Sequence, residues 1–248
     1  MRRYAGDEAQ HVVVIGGLEA PRRTRRARPA DAEAKPVDVT SATVIWADPL
    51  EDEEAWVRSA GERVAPALAV LNRALHARRI AAADPYASEV ALRHALVTRV
   101  GYGTGEQVAE GRWSAARDLP PERAKIARES ALRPQERFAA LLSGRDAALA
   151  SELLALRARL DLQQGRDREA ALQLDAALRA AIAELEGWRE LDGMPARLDE
   201  LVGLAADVGA TASAARAGAL DEAGRGVVER ALGRLEAALR ARTAGAQF

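Results

Sequence analysis

Residues Leu149 to Leu185 read LASELLALRARLDLQQGRDREAALQLDAALRAAIAEL, two apolar rhythms joined at a glycine. On the first arm Leu149, Leu153, Leu156 and Leu160 recur at spacings of four, three and four. On the second, Ala171, Leu174, Leu178, Ala181 and Leu185 do the same. Each rhythm places one apolar stripe along an α-helix. Gly165 suits the left-handed residue that ends the first helix, and Asp167 suits the cap that starts the second. Neither stripe can be buried alone, so the arms are expected to close as an antiparallel hairpin and recruit further helices.

The rest of the composition agrees with that start. Hydrophobic residues make up 48% of the 248-residue chain and aromatics only 4%, so the core is built from Ala, Leu and Val. Alanine has the highest helix propensity, and strand formers are scarce after about Trp46. The expected class is mainly α: an antiparallel helical bundle or short helical array, with a small N-terminal two-stranded β element and a disordered basic linker. A net charge of −1 supplies no global field for nucleic acid or anionic membrane. With no cysteine, a disulfide framework, cysteine-ligated zinc and a cysteine nucleophile are excluded. The first ten residues carry basic side chains but no long apolar run follows them, which points to a cytoplasmic chain outside the membrane.

Three segments are expected: a largely disordered arm over 1–40, an N-terminal helical part over 41–119 and a C-terminal helical bundle over 120–248. In the arm, HVVVIGG (His11 to Gly17) is a β-branched strand signal. It approaches the opening of a dinucleotide-binding fold, but the next required glycines fall on Leu18 and Pro21, and no helix follows. Between Pro21 and Pro36, Arg22, Arg23, Arg25, Arg26 and Arg28 form a basic cluster without apolar residues to bury. It is a candidate phosphate-contacting arm, and therefore a route to nucleic acid, although no aromatic residue is interleaved for base stacking.

Ser41 to Trp46 is a second strand that could pair with the first. Asp48-Pro49 then reads as a helix cap and first position, with Glu51, Asp52, Glu53 and Glu54 in the favourable first turn. The helix is expected to run over Ala55 to Ala83, bent near Gly61 and Pro66, burying Val64, Leu68, Leu71 and Leu75. Asp84-Pro85 reads as the start of another, ending near Arg99. In RVGYGTGEQVAEGRW (Arg99 to Trp113), Gly101, Gly103 and Gly105 alternate with Tyr102 and Thr104. Two readings compete here: a tight helix-to-helix turn with Tyr102 and Trp113 packed beneath it, and a backbone nest for a small anionic ligand. Thr104 and Gln107 have capping-box spacing.

Pro120-Pro121 restarts a helix at Glu122, and Pro134 starts a short one carrying Phe138, Leu141 and Leu142. After the hairpin, Met194-Pro195 begins a helix with Leu198, Leu201 and Val202, and Val208 to Gly218 is loose helix or loop. The last helix, Asp221 to Arg242, carries a seam of Val228, Leu232, Leu235 and Leu239 that is expected to dock on its neighbours.

Gly165, Glu169, Ala170, Leu174, Ala177 and Leu178 fall at the spacing of the second half of a tetratricopeptide repeat, which this stretch resembles. GRWSAA (Gly111 to Ala116) faintly resembles the same turn. The match spans about half of one repeat. Where the repeat carries a tyrosine in its first helix, this chain has Asp161, and no second copy follows at regular spacing. Such repeats are peptide-binding or assembly scaffolds, so the resemblance implies an interaction role.

Catalytic patterns are lacking. His11, His76 and His94 belong to no metal-binding pattern, although His76 and His94 could face each other from consecutive helices. No nucleophile elbow occurs. Charges such as Glu152 with Arg157 and Arg159, or Asp167 with Glu169 and Arg179, read as solvated helix faces. The expectation is a non-enzymatic scaffold that needs no cofactor or metal and binds another protein or a copy of itself. The alternatives are nucleic-acid binding through the Arg22 to Arg28 arm, and a ligand site or enzyme at Gly101 to Trp113.

Overall fold

The computed structural model describes residues 11–18, 39–46, 50–120 and 134–245. The Arg22 to Arg28 cluster, the Asp48-Pro49 pair and the helix expected at Glu122 lie outside the described residues. The chain divides into two compact units, Met1–Arg123 and Ala124–Phe248.

In the first unit, β1 (His11–Leu18) and β2 (Val39–Trp46) form an antiparallel pair in a register that runs from His11 opposite Trp46 to Leu18 opposite Val39. Both strand expectations hold, and the two segments pair with each other. The rings of His11 and Trp46 meet edge to face at 5.4 Å, and Ser41 Oγ donates to the Gly16 carbonyl. The ribbon packs on α2 (Val64–Ala82), which gives it the support that an isolated pair lacks.

The helical reading of 55–99 needs correction. The short α1 spans Glu53–Arg58, with Asp52 accepting the Ala55 N–H at 2.8 Å, so Asp52 caps the helix where Asp48 was expected to. A 3-10 turn at Ala60–Arg63 separates it from α2, so the expected bend is a break. Within α2 the fully buried residues are Val70 and Asn72; Val64, Leu68, Leu71 and Leu75 are half-buried. Asp84-Pro85 starts no helix. Ala83 ends α2 in the left-handed region, and Asp84 accepts the Tyr86 N–H, a side-chain turn that Asp makes as readily as a cap. The chain then folds back along α2, where the Asn72 amide donates to the Val90 carbonyl and accepts the Val90 N–H. A second antiparallel pair follows, β3 (Thr98–Tyr102) with β4 (Ala115–Leu119).

In the second unit α3 (Pro134–Leu142) precedes four long helices: α4 (Ala150–Gln163), α5 (Asp167–Leu185), α6 (Met194–Ala217) and α7 (Glu222–Gly245). Each packs on the next, α7 returns to α4 and α5, and one apolar core runs through them. This is the expected bundle. Gly165 turns the chain at φ +70°, and Asp167 is the first residue of α5 rather than its cap. All five members of the α5 stripe are buried, as is the whole α7 seam. Val208 to Ala217 is regular helix, its small side chains letting α6 approach Arg179 of α5 within 3.2 Å of a Cβ built on Gly209.

The α4 stripe is reversed. Leu153 and Leu156 are 53% and 69% exposed, while Ser151, Ala155, Ala158 and Leu162 face the core. These four recur at the same spacing, shifted by two residues, about 200° around the helix. On α3 the buried residue is Ala140; Phe138 and Leu142 are exposed. We expect Leu174→Ala to lower stability by about 2–5 kcal/mol, and Leu156→Ala, in dilute solution where the chain is monomeric, to change it by less than about 0.5 kcal/mol. Urea unfolding followed by far-ultraviolet circular dichroism measures both.

Candidate functional site

The glycine-rich stretch in the first unit is committed to packing. Tyr102 ends β3 and Trp113 precedes β4, so the helix-to-helix turn is a strand-to-strand connection, with a 3-10 turn at Glu106–Glu110 inside it. A Cβ on Gly101 would lie 2.8 Å from the Ala115 carbonyl oxygen and 3.0 Å from the Trp113 ring. One on Gly103 would meet the Val108 side chain at 3.0 Å. The alternation therefore leaves room for the neighbouring strand and for Val108. Gly105, at φ +74°, precedes the 3-10 turn, and no side-chain hydrogen bond of Thr104 caps it. Gly111 to Ala116 leads into β4, so no tetratricopeptide-like helix follows it.

Tyr102 Oη donates to Glu53 Oε2 at 2.5 Å, which holds the phenol above its ordinary pKa. Its ring meets Trp56 edge to face. Tyr102, Glu53, Glu54 and Arg58 line only an open surface depression. His76 and His94 are not brought together: His76 Nδ1 lies 3.7 Å from the buried carboxylate of Glu89, and His94 is exposed in a separate turn. Among the described residues no group of three or more His, Asp or Glu side chains could hold a metal ion. None of their helices is long and apolar enough to cross a membrane.

Of the charges expected on solvated faces, Arg157, Glu169 and Arg179 are exposed, whereas Glu152 and Arg159 work as tethers between helices. Leu149 precedes α4 and has no side-chain acceptor. Glu184, from the far end of α5, takes that role, accepting the N–H groups of Ala150 and Ser151 at 3.0 and 3.1 Å and the Ser151 hydroxyl at 2.6 Å. Glu152 accepts from Arg137 of α3 at 2.6 Å. Arg159 donates two hydrogen bonds to Glu236 of α7. Asp161 is buried and accepts from Arg166 at 2.6 Å and from the Gln173 amide. At the position where the tetratricopeptide pattern has tyrosine, a carboxylate thus clamps the hairpin turn.

Arg242, on α7, is 2% exposed and donates to Asp146 at 2.5 Å, with its guanidinium 4.5 Å from the Trp188 ring centre. Asp146 also accepts from Arg137, so two cations and two anions close a neutral cluster with Glu152. Burial pushes the Asp146 carboxyl up, but the Arg242 and Arg137 hydrogen bonds outweigh it and hold the group below the ordinary carboxylate range. Glu184 behaves alike: burial raises it, but the Ser151 hydroxyl and two backbone N–H groups outweigh that and hold it below its ordinary value. The cluster leaves no mark in the sequence, because Arg242 and Asp146 lie 96 residues apart and no motif links them.

With rotation fixed by these tethers, α4 presents Leu149, Leu153, Leu156 and Leu160 along its outer side. Leu149 also leans on the core, Leu160 is half-buried, and Leu153 and Leu156 stand clear. Arg157 is exposed beside them. This is the feature most suited to recognition. Comparison with protein-family models, curated proteins and solved structures returns no match.

Two outcomes are expected for the cluster. Arg242→Met should cost about 3–5 kcal/mol by leaving Asp146 half-paired in the interior, with a change in Trp188 fluorescence. Asp146 and Glu184 have folded values below their unfolded ones. Their contribution is therefore present above the ordinary carboxylate range, about pH 4, and is lost as pH falls through it toward the lower folded values. The urea midpoint should fall on acidification, less steeply in Glu184→Gln than in the natural chain.

Proposed function

We propose that this protein is a non-enzymatic helical scaffold, working in the cytoplasm, whose task is protein–protein contact through the outer face of α4. One observation carries the reading: a helix held in a bundle by polar tethers on its flanks and inner side turns leucines outward at helix-pairing spacing. A helix apolar on two opposite faces is ordinarily covered on both. The tetratricopeptide-like turn at Gly165 supports the same role, since such hairpins serve as assembly surfaces. The glycines of the 101–105 stretch are occupied by packing and turning, which weakens the competing ligand-site reading.

A photo-crosslinking residue placed at Leu153 should form discrete adducts with another polypeptide chain in the source cells. The same residue at Val202, which is 54% exposed on α6, is the control and should form none. Absence of adducts at 153, or equal labelling at both positions, overturns the proposal.

A further inference from the structure

We infer that the outer face of α4 is the two-fold interface of a homodimer, in which α4 of one chain lies antiparallel to α4 of a second copy. The inference rests on the contact role proposed above and names its partner. Leu149, Leu153, Leu156 and Leu160 follow one another at spacings of four, three and four, which read the same in both directions. A two-fold axis between Leu154 and Ala155, perpendicular to the helix, sets Leu149 opposite Leu160 of the second copy and Leu153 opposite Leu156. Every leucine then meets a leucine, in the alternating three-and-four seam of paired helices.

The flanking charges fit the same arrangement. Glu152 and Arg159 lie on one edge of the stripe, Ala150 and Arg157 on the other. Antiparallel packing brings like edges together, so Glu152 faces Arg159 of the second copy, twice by symmetry, and Arg157 faces Ala150. No like charges meet. Within each chain Glu152 is held by Arg137 and Arg159 by Glu236, so the cross-pairs join existing sign-alternating networks. Antiparallel pairing also opposes the two helix dipoles, whereas a parallel pair aligns them. An interface centred on one 14-residue helix belongs to the small, reversible class, so the dimer dissociates on dilution.

The absence of cysteine allows a direct test in the full chain. Leu149→Cys and Leu160→Cys are made as separate variants. The two positions are 11 residues apart, about 16 Å along a helix, beyond the roughly 7 Å that a disulfide spans between Cα atoms. The inference requires that an oxidised mixture of the two variants yields a disulfide-linked dimer and that each variant alone does not. Adding Leu153→Glu and Leu156→Glu to both should abolish the cross-link with helical circular dichroism unchanged. Cross-linking of each variant alone, as parallel pairing gives, overturns it. So does a natural chain that sediments as a monomer at every concentration. A monomer whose residue-153 probe captures a different protein defeats the homodimer and leaves the scaffold role standing; capture of nothing defeats both. An intrachain adduct shows that the chain covers its own stripe, and also overturns the inference.

Discussion

The arrangement of the second unit depends on how α4 is rotated. The helix has two faces of identical spacing, one of leucines and one of the smaller residues Ser151, Ala155 and Ala158 with Leu162. Burying the leucines would shelter more apolar area. The structure buries the smaller face because polar groups are bound there and on its flanks. Ser151 reaches Glu184, Asp161 reaches Arg166 and Gln173, and Arg159 reaches Glu236. Half a turn of rotation would break the contacts to Glu184, Gln173 and Glu236. Small residues also let α4 approach α5 and α7, whose leucines already fill the interior. The hydrophobic effect thus assembles the bundle, and hydrogen bonding selects which side of α4 enters it.

That distinction explains what could be read in advance. The stripes of α5 and α7 were legible because each helix has a single large apolar face and polar residues opposite it. The pairing of β1 with β2 was legible from β-branched runs bounded by glycine or turn signals. The face of α4 was not, because periodicity ranks leucine above alanine and carries no information about distant hydrogen bonds. The β3–β4 pair was hidden by its glycines, which mark turns in a sequence but here accommodate the Trp113 ring and the Ala115 backbone. Asp84-Pro85 has the letters of a helix start, and its carboxylate closes a local turn instead.

The candidate site was legible in a limited sense. Its leucines were identified by spacing, and their exposure makes them of interest for function. Among the residues that hold them outward, Glu152 and Arg159 were assigned to a solvated face, since ion pairs between helices look like ordinary surface charge until the helices are placed. Arg242 belongs to the same class: a terminal arginine in a charged helix gave no sign that Asp146 and Trp188 would enclose it.

The Glu184 contact sets a condition on how the hairpin is made. The carboxylate that closes the start of α4 lies 33 residues further along the chain than Ser151. On the ribosome, α4 is therefore translated complete before its own terminator of free N–H groups exists. Until the second arm has emerged and folded back, the Ala150 and Ser151 N–H groups lack that acceptor. The beginning of one arm is finished by the end of the other.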